Sequence, residues 1–250
     1  ARYIAGEAAA LATGMSPIGL GNDLGGSLRN PANACGIASI RPSAGRVPDA
    51  GFVPREDYLM AVQLMNVQGP MARRIDDVRL GLQVLMGAHP RDPWSFTAPL
   101  NGPAPNGPIR VAVVTAPPGG TCDPTVSATV RRAADALANA GYEVVDACPP
   151  RYEEVAATWA RLLMGDFASV LDQLMPLMGE GGKTFLATAN AAVAPLTSTT
   201  DMSQLLALRH GLGRAWSQFM AEHPLVLTPT WTQIPFEQGF DAATAQGAAA

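Results

Sequence analysis

An α/β arrangement is predicted by a strand–helix–strand unit in the middle of the chain. Residues 109–115 and 142–146 are short apolar runs, as expected of buried strands. Between them, Asp123 and Pro124 form a helix start, an apolar stripe follows at helical spacing, and Gly141 ends the helix. Two strands joined by one helix imply a parallel pair with a right-handed crossover. The middle of the chain is therefore predicted to belong to the α/β class.

The other elements follow from apolar periodicity and from the positions of glycine and proline. Further helices are predicted where strong helix formers or periodic apolar residues accumulate, at residues 6–13, 76–86, 151–171 and 204–222. Asp76 is the predicted N-cap of the second of these helices. Short strands are predicted at 36–40 and 225–227. Proline and glycine interrupt the pattern elsewhere, so residues 46–70 are predicted to be loop and residues 89–108 a connector.

Composition excludes several classes of function. The chain has 250 residues, 48% of them hydrophobic, and a net charge of −4, which gives no reason to expect a nucleic-acid partner. No apolar run has the length of a membrane span and no signal-peptide pattern opens the sequence, so no membrane partner is predicted. The cysteines, Cys35, Cys122 and Cys148, are odd in number and lack metal-ligand spacing. They suit a reducing compartment, and we expect a cytoplasmic protein without a bound metal.

The segment from Asp23 to Arg29, with the sequence DLGGSLR, is the strongest indication of chemistry. Gly25 and Gly26 allow a tight turn and leave backbone N–H groups that a peptide oxygen can approach without meeting a Cβ atom. Ser27 follows directly. A serine beside free N–H groups is the arrangement that acyl transfer requires, because it supplies a nucleophile and donors for the oxyanion. A glycine turn that carries an ordinary serine is the simpler alternative.

The wider sequence around this segment resembles the signature of the amidase signature family. That pattern is close to Gly-Ser/Thr-Asp-x-Gly-Gly-Ser-Ile/Leu-Arg-x-Pro-Ala-x-x-Cys-Gly, followed by a short strand and Lys/Arg-Pro-Thr/Ser-x-Gly-Arg. The matching positions are Gly21, Asp23, Gly25, Gly26, Ser27, Leu28, Arg29, Pro31, Ala32, Cys35, Gly36, Arg41, Pro42, Ser43, Gly45 and Arg46. Residues 69–73, with the sequence GPMAR, and residues 228–230, with the sequence TPT, resemble later motifs of the same family.

The resemblance implies a fold and a division of the chain. It is close over residues 5–88 and looser over 109–230. It implies an α/β fold in which a large mixed β-sheet is flanked by helices on both faces, here incomplete at both ends. Residues 1–250 would then form a single partial amidase domain. Its parts would be a signature core (5–88), a proline-rich connector (89–108) and a variable part that builds the substrate pocket (109–250).

The resemblance also assigns roles to the residues of the loop. Ser27 is the expected nucleophile, and the backbone N–H groups of Leu24, Gly25, Gly26 and Ser27 are the expected oxyanion hole. Asp23 and Arg29 are expected to support the loop, Asp23 by holding N–H groups and Arg29 by hydrogen bonds or an ion pair. The family needs no cofactor or metal and acts on small-molecule amides. The resemblance leaves open whether the protein forms a homodimer.

The sequence departs from the family pattern where the base should be. The family relays the serine proton through a second serine to a neutral lysine. Tyr3 stands where that bridging serine belongs and Ile4 where the next serine belongs, and neither can replace it. The family lysine precedes the nucleophile by many tens of residues, whereas the only lysine here, Lys183, follows it in a Gly-Gly-Lys-Thr context typical of an exposed loop.

These departures leave three functional hypotheses. The first is an amide hydrolase that forms an acyl-enzyme on Ser27, present here as a fragment that is inactive by itself. The second is a catalytically inactive amidase-like binding subunit. The third is the amidotransferase subunit that supplies ammonia for tRNA-bound amino acids. A Ser27 triad with His89, His210 or His223 is disfavoured, because none of these histidines has a recognisable catalytic context.

Overall fold

A computed structural model describes residues 2–50, 59–103 and 106–236. The chain divides into two compact units, Ala1–Ala104 and Pro105–Ala250. The division falls within the predicted connector. We call Ala1–Ala104 the first unit and Pro105–Ala250 the second unit.

The first unit contains four helices and three strands among its described residues. In chain order these are α1 (Arg2–Ala12), β1 (Ile18–Asp23), α2 (Arg29–Cys35), β2 (Ala38–Ser39), α3 (Met60–Met65), β3 (Val67–Ala72) and α4 (Ile75–Leu85). The strands form an antiparallel sheet in the order β1-β3-β2, so that β3 is central. Gly21 of β1 pairs with Gly69 of β3, and Asp23, the last residue of β1, pairs with Val67.

Helices cover both faces of this sheet. Successive strand residues point to opposite faces, and on β3 Met71 packs with the α1 residues Ala8 and Leu11. Pro70, its neighbour, lies against α4, since a Cβ atom added to Gly81 would approach the Pro70 Cβ to 2.9 Å. Leu28 joins the α1 side and is fully buried. The residue after Ser27 is therefore anchored in the core.

The second unit contains a parallel sheet. Its elements are β4 (Arg110–Val113), α5 (Pro124–Asn139), β5 (Glu143–Asp146), α6 (Tyr152–Ala168), α7 (Leu171–Leu174), a 3₁₀ turn (Met175–Leu177), α8 (Glu180–Ala191), α9 (Thr199–Glu222) and β6 (Leu225–Leu227). The strand order is β5-β4-β6 and both pairs are parallel. The predicted strand–helix–strand unit corresponds to β4, α5 and β5 and is confirmed.

The α5 helix shows how the sequence determines this part of the fold. The Asp123 side chain caps the helix by accepting a hydrogen bond from the Thr125 N–H at 2.7 Å, and Pro124 occupies the first turn. Val130 and Ala134 are buried against Val111 and Val113 of β4. The predicted apolar stripe thus packs on the sheet.

The mixed α/β class is confirmed, with a refinement. Antiparallel and parallel pairs both occur, as in a mixed sheet, but the described strands are divided between two three-stranded sheets. No described helix is both long and apolar enough to cross a lipid bilayer.

Three local predictions were wrong. Residues 46–70 were predicted to be loop, yet α3 and most of β3 lie there, while residues 51–58 are outside the described part. Arg74, not Asp76, is the N-cap of α4, and Asp76 lies in its first turn, where its charge complements the helix dipole. Lys183 lies in helix α8 instead of a loop.

Candidate active site

The predicted nucleophile loop connects β1 to α2. Gly26 has a φ angle of +106°, a conformation that only glycine adopts readily, and the Asn30 side chain lies where its Cβ would be. The Asn30 N–H donates to the Gly26 carbonyl at 2.7 Å and closes the turn. Ser27 is half-buried and Gly25 exposed. The loop is therefore a tight turn that presents Ser27 directly before a helix.

Asp23 holds this loop from inside. Its side chain is completely buried. It accepts hydrogen bonds from the Gly26 N–H at 2.7 Å and the Leu28 N–H at 3.2 Å. Arg29 adds a bidentate pair, Nε to Oδ2 at 2.9 Å and Nη2 to Oδ1 at 3.0 Å. Both carboxylate oxygens are thus occupied by donors from the loop that contains Ser27.

The electrostatics of the cluster favour the ionised carboxylate. Burial alone raises the pKa of Asp23, but the hydrogen bonds and charge of Arg29 and the N–H groups of Gly26 and Leu28 outweigh it, so the pKa lies below its ordinary value. Arg41 is a second cation, with its Nε 3.6 Å from Asp23 Oδ1. Burial, followed by repulsion from Arg29, lowers the pKa of Arg41, while Asp23 opposes this shift.

Arg41 was not predicted to belong to the site. In the sequence it was only a position of the family pattern, directly after the strand predicted at 36–40. Charge balance gave no signal for it, because the Arg29 guanidinium alone neutralises the Asp23 carboxylate. The only available signal was the place of Arg41 near Arg29 in the same signature stretch.

One of the predicted oxyanion donors is already used. The Gly26 N–H donates to Asp23 and does not point to a free position, so this part of the prediction is corrected. Among the described residues, none accepts a hydrogen bond from the N–H of Gly25 or Ser27. These two N–H groups could donate hydrogen bonds to a substrate oxygen. Leu24, the remaining predicted donor, already takes part in another interaction.

No general base contacts Ser27 among the described residues. The Ser27 hydroxyl has no hydrogen-bond partner in that part of the chain. Tyr3 and Ile4 lie in the first turn of α1, and their side chains are outside what the structure describes. Lys183 belongs to the second unit, where its ammonium pairs with Glu180 at 2.7 Å.

The remaining candidates also lack a catalytic arrangement. His89 is exposed in the first unit and accepts from the Arg91 N–H through Nδ1. His210 and His223 belong to the second unit, and the ring of His223 packs on Phe219. Cys35 is half-buried and packs against the core that contains Leu28. No group of three or more His, Cys, Asp or Glu residues suited to a metal ion occurs in the described ranges.

Comparison with known proteins identifies the family. The family model described as "Amidase" matches residues 5–248. The chain is 39% identical over 228 residues to an indoleacetamide hydrolase of Bradyrhizobium japonicum, covering 90% of this chain and 48% of that protein. It is 36% identical over 161 residues to a glutamyl-tRNA(Gln) amidotransferase subunit of Synechococcus sp. (strain RCC307), covering 62% of this chain and 32% of that protein.

Solved structures agree on the fold. Fatty acid amide hydrolase matches with a TM-score of 0.80 at 22% identity, covering 98% of this chain and 44% of that one. A bacterial aryl acylamidase of the amidase signature family matches with a TM-score of 0.74 at 24% identity, covering 96% of this chain and 51% of that one. The chain belongs to the amidase family. It spans about half the length of the first curated relatives that it matches.

Proposed function

We propose that this chain supplies the nucleophile and the oxyanion hole of an amide hydrolase, with Ser27 as the nucleophile. The observation that carries the proposal is the buried carboxylate of Asp23, which binds two N–H groups and one guanidinium of the loop around Ser27. An arrangement of this kind fixes a loop in advance of the reaction, and preorganised donors are usually the largest contribution to catalysis of acyl transfer.

The proposed reaction assigns each residue a step. Ser27 Oγ attacks the amide carbonyl carbon, and the carbonyl oxygen becomes an oxyanion that accepts hydrogen bonds from the N–H groups of Gly25 and Ser27. The carbon–nitrogen bond then breaks, and the nitrogen leaves as ammonia or an amine after it takes up a proton. Water hydrolyses the remaining ester on Ser27 to a carboxylate. Loss of one oxyanion donor typically costs about 3 kcal/mol in the transition state.

The general base of this reaction is proposed to lie outside the described residues. Ser27 needs a group that takes its proton, as in the serine–serine–lysine variant of the serine hydrolase scheme. Tyr3 and Ile4 occupy the positions of the two serines in the family pattern. Lys183 is a poor candidate because Glu180 holds its ammonium. We therefore expect residues 1–250 by themselves to turn over amides poorly or not at all.

The substrate to test first is indoleacetamide. The relatives named indoleacetamide hydrolase match 90% of this chain, whereas the amidotransferase relative matches 62%. This difference in coverage favours a small carboxamide over tRNA-bound substrates. The amidotransferase subunit remains the second candidate, and an inactive binding subunit is the third, favoured only by the residues at positions 3 and 4.

The experiment measures ammonia release from indoleacetamide by the protein expressed from its own gene, so that any segment encoded before residue 1 is included. We expect turnover, together with an acyl adduct at Ser27 after rapid quenching and mass spectrometry. Ser27→Ala should abolish both, while Ser39→Ala, a substitution in β2, should abolish neither. Binding of indoleacetamide without turnover in the wild-type protein would instead indicate the inactive subunit. Turnover only with a co-purified partner would indicate the amidotransferase.

A further inference from the structure

We propose that Arg41 is a positioning residue that holds the Ser27 loop in place by linking the buried carboxylate of Asp23 to the backbone at the end of α3. The inference rests on the proposed function for its meaning in catalysis. The link itself is a property of the fold. It goes beyond the roles proposed for Asp23 and Arg29, because Arg41 lies outside the loop and contacts a different element.

Arg41 approaches Asp23 from outside the loop. The loop donors occupy both carboxylate oxygens at 2.7 to 3.2 Å, whereas the Arg41 Nε lies 3.6 Å from Oδ1. At that distance Arg41 contributes charge and not a hydrogen bond. The Asp23 carboxylate thus faces two guanidinium groups, Arg29 within the loop and Arg41 outside it.

The other end of the Arg41 guanidinium is fixed by the backbone. Its Nη2 donates to the Met65 carbonyl at 2.6 Å. Met65 is the last residue of α3, where helix carbonyls lack partners within the helix and hydrogen-bond donors are favourable. The planar guanidinium can meet Asp23 and this carbonyl at once, because its donors point in several directions. A lysine ammonium has three donors, but it lacks the rigid planar fork that directs Nε toward Asp23 and Nη2 toward the Met65 carbonyl in one fixed geometry.

The bridge sets the position of the loop relative to the sheet. Met65 lies two residues before the central strand β3, and Arg41 lies two residues after β2. The Ile40 N–H donates to the Pro70 carbonyl of β3 at 3.3 Å. The Arg41 side chain is therefore held between two chain segments that are themselves fixed to β3, and Asp23 is held against that frame.

A matched control exists in the same signature stretch. Arg46 also donates through Nη2 to a backbone carbonyl, that of Pro99, at 2.6 Å. Its described contacts include no carboxylate. Arg46→Gln removes a guanidinium–carbonyl hydrogen bond of the same kind as Arg41→Gln does, but leaves Asp23 untouched. Any difference between the two variants reports on the link to Asp23.

The test compares Arg41→Gln, Arg41→Lys and Arg46→Gln by NMR. The carboxyl carbon of Asp23 is titrated, and amide exchange is measured at Gly26 and Leu28. We expect Arg41→Gln to raise the pH at which Asp23 titrates, because a nearby positive charge is lost, and to accelerate exchange at Gly26 about tenfold. Arg41→Lys should restore the titration and not the exchange protection. Arg46→Gln should change neither.

Two outcomes would overturn the proposal. One is wild-type titration and exchange in folded Arg41→Gln protein, and the other is an equal change in Arg46→Gln. If Arg41→Gln does not fold, Arg41→Lys is compared with Arg46→Lys instead. Equal amide exchange at Gly26 in these two variants would contradict the proposed role of Arg41. These readouts need no catalysis. Absence of turnover in the protein expressed from its own gene would therefore overturn the proposed function and leave the Arg41 link standing.

Discussion

Charged groups are used differently in the two units. In the first unit the carboxylate of Asp23 is completely buried and is surrounded by loop N–H groups and arginines. In the second unit, ion pairs such as Arg131–Asp146 and Arg110–Glu143 lie on the surface, with side chains 40% to 70% exposed. Its sheet is held by the apolar contacts of β4 and α5.

The difference in how charged groups are used indicates that the first unit gives up some stability in order to hold one loop in place. A buried carboxylate is costly to desolvate, and breaking its pairing leaves uncompensated groups, whereas surface pairs contribute little. Apolar packing would stabilise the first unit at lower cost. The buried cluster is best explained by the need to hold the loop around Ser27 in one conformation. Substitutions in the first unit should therefore differ from matched substitutions in the second unit.

The largest effect is expected for Asp23→Asn. This change removes the charge that two arginines face and weakens the acceptors of the Gly26 and Leu28 N–H groups. We expect a loss of about 3 kcal/mol in the free energy of unfolding of the first unit. Asp146→Asn removes a partner that is 70% exposed and should cost less than about 1 kcal/mol. Chemical denaturation of both variants measures the difference, and equal losses would contradict the account.

Lowering the pH should reduce the free energy of unfolding for the same reason as Asp23→Asn does, but by a smaller amount. The pKa of Asp23 is lowered in the folded protein, so its contribution is fully present above its unfolded value of about 3.9. The contribution is lost as the pH falls through the lower folded value. The stability difference between wild-type protein and Asp23→Asn should therefore narrow below about pH 4. A difference that stays constant from neutral pH to about pH 2 would show that Asp23 does not act through its charge.

Glycine substitutions give the next largest contrast. Gly26 and Gly141 both have positive φ angles, +106° and +91°, but only Gly26 has a side chain, that of Asn30, where a Cβ would lie. Gly26→Ala should cost about 2 to 3 kcal/mol and Gly141→Ala about 1 kcal/mol. Thermal denaturation measures both. Equal losses would indicate that backbone strain alone, without crowding by Asn30, accounts for Gly26.

The smallest effect is expected at the cap of α5. The Asp123 side chain accepts one hydrogen bond from the Thr125 N–H in an exposed position. Asp123→Ala should cost about 1 kcal/mol, and Asp123→Ser much less, because serine also caps helices. Urea denaturation followed by circular dichroism measures this. A loss as large as that of Asp23→Asn would mean that exposed polar groups matter equally in both units.

The sequence was most informative where apolar periodicity is strong. The helices α5 and α6 lie within their predicted segments because their apolar residues recur at helical spacing, whereas α9 begins at Thr199 and not at residue 204. The strands β4 and β6 were predicted from short apolar runs. Capping was less reliable, since Asp123 was predicted correctly and Asp76 was not. Several residues near a helix start can satisfy the same N–H groups, so the sequence alone does not select one of them.

The central strand β3 was missed for a physical reason. It contains Gly69 and Pro70, residues that are rare in central strands. Both make close contacts here. A Cβ on Gly69 would collide with the Ile40 carbonyl, and Pro70 pairs through its carbonyl with the Ile40 N–H. Such contacts join segments about thirty residues apart and leave no local pattern to detect.

The site was only partly accessible from the sequence. The family motif indicated Ser27, its glycines and a role of Asp23 in holding loop N–H groups, but not which N–H groups Asp23 binds or that Arg41 lies beside it. Hydrogen-bond partners depend on how the loop closes. Leu28, which anchors the loop, packs with Ala8, Leu11 and Met71, residues distant from it in sequence.

The central claim is that the Asp23 cluster prepares Ser27 for nucleophilic attack. A fluorophosphonate probe, applied to the protein expressed from its own gene and mapped by mass spectrometry, tests it most directly. We predict that Ser27 is the labelled serine, that Asp23→Asn slows labelling at least about tenfold, and that Asp146→Asn leaves the rate unchanged. Labelling of another serine, or wild-type labelling of Ser27 in folded Asp23→Asn protein, would contradict the account.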